Sequence, residues 1–408
     1  MMELYAELER RNIIAQVTNK NAVQELINRG DTVFYIGFDA TADSLHVGHF
    51  IQFMMIRWLQ STGNKPIILL GTGTTLIGDP TGKTDMRKML SKDEINHNSD
   101  CFQTQIEKYI DKNNAIFVRN GDWLCELKYL ELLREVGTHF SVNRMLTAEC
   151  VKTRMERGLS FLEFNYVVMQ SYDFLHLHRQ YNCKLQLGGD DQWSNILGGV
   201  ELVRRTTQQE VFGMTFTLLT TVSGQKMGKT EKGALWLSED RLPVYDFYQY
   251  WRNVDDSKVF EYMKALTFLP IEEIEEMERS HKDINICKKL LAFEITKLVH
   301  GETKAKTAQE TATAIFSGNM KTKNMPNLTL TPNDFAADNT IALNTILIKL
   351  GLAQSKSEAR RLIEQGAIKI DSEQISNLEH ALTKKELLEN NIVIQKGKKT
   401  FFKLNSEK

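Results

Sequence analysis

The chain has 408 residues, 42% hydrophobic and 25% charged, which is enough for two or three domains around a large buried core. Its formal charge of -1 excludes a chain-wide polyanion-binding surface, so any nucleic-acid contact must come from local charge. The cysteines (Cys101, Cys125, Cys150, Cys183 and Cys287) are odd in number and widely spaced, which excludes a disulfide framework and a Cys-Cys zinc site.

The N-terminus carries acids where a signal peptide needs basic residues, and no long apolar run follows. A reducing cytoplasm is the expected compartment. Residues 1–30 read as helix. Thr32–Phe38 is β-branched and aromatic, the pattern of a strand. His49–Leu59 reads as a buried helix, and Pro66–Leu70 as a buried parallel strand. Lys184–Leu187, before Gly188-Gly189, is another strand. Strand, helix and strand in succession imply a βαβ sheet, with ligands bound beyond the carboxyl ends of its strands. The expected class is α/β, with a Rossmann-like parallel-sheet catalytic domain over 1–235. The helical spacing of 271–277 and 288–294 extends this with an α-helical domain over 236–318. Residues 319–338, rich in Asn, Thr, Gly and Pro, read as a linker. Residues 339–408 form a small basic unit with 12 Lys+Arg against 8 Asp+Glu.

Two motifs carry most of the chemistry. His46-Val47-Gly48-His49 follows a strand and opens a helix, where unpaired N–H groups and the positive dipole end suit phosphate. His46 and His49 are three apart and are expected to share a helix face, and Gly48 leaves room for a flat nucleotide. Lys226-Met227-Gly228-Lys229-Thr230 lies on a glycine-containing loop whose ammonium groups can neutralise polyphosphate. A packed helix start and an ordinary basic surface loop are the respective rivals.

Gly78 to Gly82 encloses three residues where a P-loop needs four, so neither a P-loop nor a dinucleotide fingerprint fits. What remains there is one carboxylate, Asp79, with two cations, Lys83 and Arg87. Tyr166, Gln170 and Asp173 fall on one helical face, polar in an apolar setting. Asp191 follows the Gly188-Gly189 turn, a position suited to ribose hydroxyls.

These residues resemble those of the class I aminoacyl-tRNA synthetases, specifically bacterial-type tyrosyl-tRNA synthetases, from about residue 30 onward. The HIGH motif is similar to His46–His49, and the KMSKS loop to Lys226–Thr230. Further family-specific stretches are Gly37-Phe38-Asp39, Leu76-Ile77-Gly78-Asp79-Pro80, His139–Asn143 and Asp191-Gln192-Trp193. The resemblance implies activation of tyrosine by ATP with Mg2+, then transfer to the 3′ end of tRNA-Tyr. It implies that Tyr35, Asp79, Tyr166, Gln170 and Asp173 hold tyrosine. Thr41, His46, His49, Lys83, Arg87, Lys226 and Lys229 would serve catalysis. Gly37, Asp39, Gly48, Asp191, Gln192 and Met227 would join His46, His49, Lys226 and Lys229 around ATP. No protein-ligated metal is expected.

Residues 339–408 resemble an S4-type RNA-binding domain, with small α+β architecture. Lys356, Arg360, Arg361, Lys396, Lys398 and Lys399 are its candidate phosphate contacts. The same resemblance implies a homodimer with its interface in an insertion near 120–160. Departures from the family pattern are Ile36 for a ribose-holding cysteine, Ala40 for a proline expected to stiffen the turn before Thr41, Asp190 for a serine, and Ser194 for a glycine. The alternatives are a tryptophan-specific synthetase, a small-metabolite nucleotidyltransferase and a non-catalytic RNA-binding paralogue.

Overall fold

The computed structural model describes residues 3–79, 90–147, 149–156, 158–230, 233–316, 327–336, 338–371, 373–389, 392–397 and 400–406. Lys83, Arg87, Lys398 and Lys399, singled out above, lie outside them. The chain packs as two units. One comprises Met1–Leu242 and Trp251–Val299, the other Pro243–Tyr250 and His300–Lys408. Among the described residues, no helix is long and apolar enough to cross a membrane.

The first unit is built on a six-stranded sheet. Its strands are β1 (Ile14–Val17), β2 (Val33–Asp39), β3 (Lys65–Gly71), β4 (Ile116–Arg119), β5 (Leu185–Gly189) and β6 (Phe212–Phe216). Their order is β1-β6-β5-β2-β3-β4. Strands β2 to β6 are parallel, and β1 closes one edge antiparallel to β6. The β-branched and leucine-rich runs of β3 and β5 fit this position, because a parallel sheet covered on both faces leaves little backbone or side chain in water. Every residue of β5 is buried, as is every residue of β3 after Lys65. From β2 the chain steps outward to β3 and β4, then returns to β5 on the other side of β2. The topological switch point therefore lies between the carboxyl ends of β2 and β5, where an open α/β sheet leaves a crevice.

Two expectations are revised. Residues 1–30 are not continuous helix: between Leu4–Arg10 and Lys20–Arg29 the chain forms β1. Pairing with β6 overrides local propensity for these four residues. The helix near 49 is Phe50–Ser61, preceded by a single 3-10 turn, Val47–His49. It buries Phe50, Ile51, Phe53, Met54, Met55, Ile56 and Leu59 against the sheet layer. Asn64 is fully buried at the entrance to β3, where its amide accepts from Thr32 N and donates to Ile27 O. That side chain fixes the start of β2 and β3 relative to each other.

In the second unit, strand β9 (Asn327–Leu330) stands in the stretch read as linker. It pairs in parallel with β15 (Thr400–Ser406). Strands β11 (Ile368–Ile370), β12 (Glu373–Gln374) and β14 (Ile392–Lys396) complete a five-stranded sheet of order β12-β11-β14-β15-β9. The helices Leu343–Lys349 and Lys356–Glu364 contribute Leu343, Ile346, Leu347, Ala359 and Ile363 to its core, against Ile368, Ile394 and Leu404.

Candidate active site

A cavity of about 270 Å³ opens at the switch point. The pleat of β2 turns alternate residues to opposite faces, so Tyr35, Gly37 and Asp39 line the cavity. Phe34, Ile36 and Phe38 are buried on the other face. Ile36, expected on the ribose side, does not line the cavity at all. From β5 and the turn after it come Gln186, Leu187, Gly188, Gly189, Asp191 and Gln192. Helix Tyr166–Tyr181 contributes Tyr166, Gln170 and Asp173, so the polar face read from its spacing is turned inward.

Polar groups without partners gather at the deep end. The hydroxyl of Tyr35 and the side-chain carbonyl oxygens of Gln170 and Gln186 are buried and find no hydrogen-bond partner among the described residues. Buried polar atoms are nearly always paired in folded proteins, so several unpaired ones facing a single cavity mark a place for a polar ligand. Asp173, only 1% exposed, accepts from Asn120 Nδ2 at 2.9 Å and from Trp123 Nε1 at 2.8 Å. Burial pushes its carboxyl up to about 8, against the lowering effect of these two donors. The Tyr35 phenol is raised by burial and by the nearby Asp173. Beside them Tyr166 donates to Asp39 Oδ2 at 3.0 Å, while Thr74 donates to Asp39 Oδ1 at 2.8 Å. Asp79 accepts from Gln192 Nε2 at 2.8 Å. The cavity thus has a phenol and a carboxyl at one end and carboxylates along its side, an arrangement complementary to a zwitterion with a polar tail.

The two opening motifs meet at the other end. His46 stands beside His49 but precedes the helix instead of lying on its face. It is the N-cap, with Nδ1 accepting from Gly48 N at 3.0 Å, while His49 Nδ1 accepts from His46 N at 3.2 Å. Their ring centroids are 4.1 Å apart. His49 packs against Phe38 and Phe102, and burial with the neighbouring His46 pushes it down to about 3, so it is neutral near pH 7. It does not line the cavity, and Thr41 is exposed outside it. The lysine loop folds onto this turn. Val47 N donates to Leu235 O at 2.8 Å, and Leu235 N to Gly228 O at 3.1 Å. A Cβ on Gly48 would lie 2.9 Å from Met227 O, and one on Gly228, whose φ is +127°, would lie 2.8 Å from His46 Nδ1. Both glycines are required by this contact of backbone against imidazole. Met227 lines the cavity, and the backbone of Lys229 pairs with Ala234 in the two-stranded ladder β7 (Lys229–Thr230) and β8 (Gly233–Ala234). Lys226 Nζ reaches Asp191 Oδ2 at 2.6 Å.

Comparison with known proteins settles the kinship. Residues 28–317 match the family described as "tRNA synthetases class I (W and Y)", and residues 319–404 match "Tyrosine--tRNA ligase SYY-like C-terminal domain". The chain is 52% identical over 407 residues to a tyrosine--tRNA ligase of Acetivibrio thermocellus, covering 99% of both. It belongs to the tyrosine–tRNA ligases of class I. A tyrosine--tRNA ligase of Clostridium botulinum (strain Hall) is 51% identical over 405 residues, covering 98% of both chains. Among solved structures, a C-terminally truncated mitochondrial tyrosyl-tRNA synthetase of Aspergillus nidulans superposes with a TM-score of 0.67 at 30% identity. That match covers 76% of this chain and 93% of the other. The tryptophan-specific alternative is thereby set aside, because the C-terminal match and the full-length relatives all carry the tyrosine name.

Within this ligase, Asn120 and Trp123, which hold the cavity-lining Asp173, were missed by sequence reasoning. They lie some fifty residues from Asp173 in the chain, in the turn Asn120–Leu124 that leaves the carboxyl end of β4. Their position after a strand, where ligand-facing turns collect, was the available signal. Gln52, Thr74 and Gln186 were missed as well. Two departures acquire a structural account. Ala40 O accepts from Asn98 Nδ2 at 3.1 Å, so the turn before Thr41 is tied down without proline. Asp190 accepts from Gln16 at 2.6 Å and Thr215 at 3.0 Å, tying the β1 edge to the end of β5. In the second unit, Lys356, Arg360 and Arg361 are exposed on one helix, capped by Ser355, which accepts from Glu358 N. Lys396 instead donates to Leu352 O at 2.7 Å.

Proposed function

We propose that this chain activates L-tyrosine with ATP and esterifies it to the 3′ end of tRNA-Tyr. The observation that carries the assignment of its amino-acid pocket is the buried Tyr35 hydroxyl, without a partner among the described residues and close to Asp173 with its two fixed donors. A phenol entering there donates to Asp173 and accepts from Tyr35. Phenylalanine leaves the Tyr35 hydroxyl unpaired, at roughly 1–3 kcal/mol, and leaves Asp173 with only its two protein donors. Asp79, Tyr166 and Gln170 receive the ammonium group.

A carboxylate oxygen of tyrosine then attacks the α-phosphorus of ATP. The bond from that phosphorus to the bridging oxygen breaks, and pyrophosphate leaves with the electron pair. The carboxylate is already a nucleophile, so positioning and charge neutralisation supply the catalysis. Lys226, Lys229, Lys83 and Arg87 neutralise the departing pyrophosphate. His46, with Thr41, contacts the phosphate chain. Gly37, Gly48, Asp39, Gln192 and Met227 flank the nucleotide, Asp191 takes the ribose hydroxyls, and His49 holds His46. Magnesium enters as part of the nucleotide substrate. A terminal ribose hydroxyl of the tRNA then attacks the tyrosyl carbonyl, and AMP leaves.

The chemistry is assigned to residues 1–235 and RNA recognition to the basic unit within 339–408, through Lys356, Arg360, Arg361 and their neighbours, in the cytoplasm. Tyr129, Leu130 and Phe161 are 59%, 77% and 69% exposed, an apolar surface that supports a homodimer. The deciding experiment is exchange of labelled pyrophosphate into ATP with each amino acid in turn. Exchange with tyrosine alone is expected; none with tyrosine refutes the assignment.

A further inference from the structure

The lysine loop is held at its base by a side chain from a distant helix. Residues 219–227 form a hairpin, with Met227 N donating to Leu219 O at 2.7 Å and Thr221 N to Gln225 O at 2.8 Å. Thr220 stands opposite Lys226 in this hairpin. The Thr220 carbonyl accepts from the hydroxyl of Tyr262 at 2.8 Å. Tyr262, 3% exposed, belongs to helix Val259–Leu266 and meets Trp251 edge-on at 5.7 Å.

That helix is itself fixed. The buried guanidinium of Arg11 donates to the carbonyls of Lys264, Thr267 and Leu269 at its carboxyl end, at 3.1, 3.2 and 2.6 Å. Arg11 also stacks 4.7 Å over Trp58, from the helix that follows the His46–His49 turn. The Tyr262 hydroxyl is thus a rigid point set from the same packing that carries the histidine motif, and it grips the residue facing Lys226.

We propose that Tyr262 is a positioning residue for adenylate formation: through the Thr220 carbonyl it fixes the hairpin that carries Lys226 to the polyphosphate. The inference rests on Lys226 serving the pyrophosphate, as proposed above. Tyr262 touches no substrate, so its influence passes through Lys226 and spares tyrosine binding.

The test is a double-mutant cycle on the full chain, reading the single-turnover rate of tyrosyl-adenylate formation and the tyrosine Kd by equilibrium dialysis. Tyr262→Phe keeps the ring and removes the donor. It should slow the rate by about three- to tenfold, the range for one net hydrogen bond, with an unchanged Kd. In a Lys226→Ala background the same change should have no further effect. Tyr262→4-aminophenylalanine, which returns an N–H donor, should restore the rate. A rate unaffected by Tyr262→Phe, an equal loss in both backgrounds, or a parallel loss of tyrosine affinity would overturn the proposal. Lys226→Ala at full rate would instead refute the role given to Lys226, a separate outcome.

Discussion

Asp173→Asn separates the carboxylate's work in recognition from its burden on the fold. The carboxyl is raised from 3.8 to about 8 by burial, so between roughly pH 4 and pH 8 the folded chain holds a proton that the unfolded chain has released. Stability therefore falls as pH rises through that window and levels off above it. Each unit corresponds to about 1.4 kcal/mol, which from pH 5 to pH 8 amounts to roughly 3–4 kcal/mol. Asparagine does not titrate. It keeps one acceptor but sets its NH2 against a donor, Asn120 Nδ2 or Trp123 Nε1, at a pH-independent penalty of about 1–3 kcal/mol. The melting temperature of the variant should thus gain on that of the wild type as pH rises, by roughly 6–16 °C over this range at about 2–4 °C per kcal/mol. Scanning fluorimetry at half-unit steps reads this directly. In the same variant, kcat/KM for tyrosine in pyrophosphate exchange, read above pH 8 where the wild-type carboxyl is ionised, should fall about 10- to 100-fold, the value of a hydrogen bond to a charged acceptor. A gap in melting temperature that stays constant across the range would refute the linkage, and undiminished kcat/KM would refute the phenol contact.

Other outcomes follow from the same contacts. Trp123→Phe removes a donor that holds Asp173 down, so the acid limb of the pH profile of kcat/KM for tyrosine should move upward; an unmoved limb would show that the indole does not tune the carboxyl. Gly48→Ala drives a methyl against Met227 O and His46, and should slow exchange at least about tenfold while dialysis finds normal tyrosine binding. An exchange rate equal to wild type would mean that the loop need not seat on the turn. Leu130→Asp, at an exposed apolar position, should shift the proposed homodimer toward monomer in sedimentation, whereas a variant that still sediments as a dimer would place the interface elsewhere.

What could be read in the chain was local and repetitive. Strand β3 announces itself as an apolar run and β2 by its β-branched and aromatic residues, and the offsets of Tyr166, Gln170 and Asp173 put them on one face before any fold is known. Strand β1 could not be read this way, because four residues between two helices acquire their conformation only from β6. Likewise β9 reads as loop until β15 lies beside it. The same division runs through the site. The histidine and lysine motifs are recognisable by spacing, but their contact through Gly48, Gly228 and His46 joins residues some 180 positions apart. Asn120 and Trp123 carry no motif; only the return of the chain from β4 to β5 brings them to Asp173.

The ion pair between Lys226 and Asp191 makes nucleotide binding a substitution instead of an addition. On the roles proposed here, these two groups take opposite ends of ATP, the pyrophosphate and the ribose. In this structure they pair with each other, with side chains 49% and 26% exposed. An ion pair so open to water is worth at most about 1 kcal/mol, so surrendering it is a minor expense. The pair sets the loop's cation beside the carboxylate proposed to hold the sugar. When a ribose displaces that cation, Lys226 is released at the moment a triphosphate arrives to receive it.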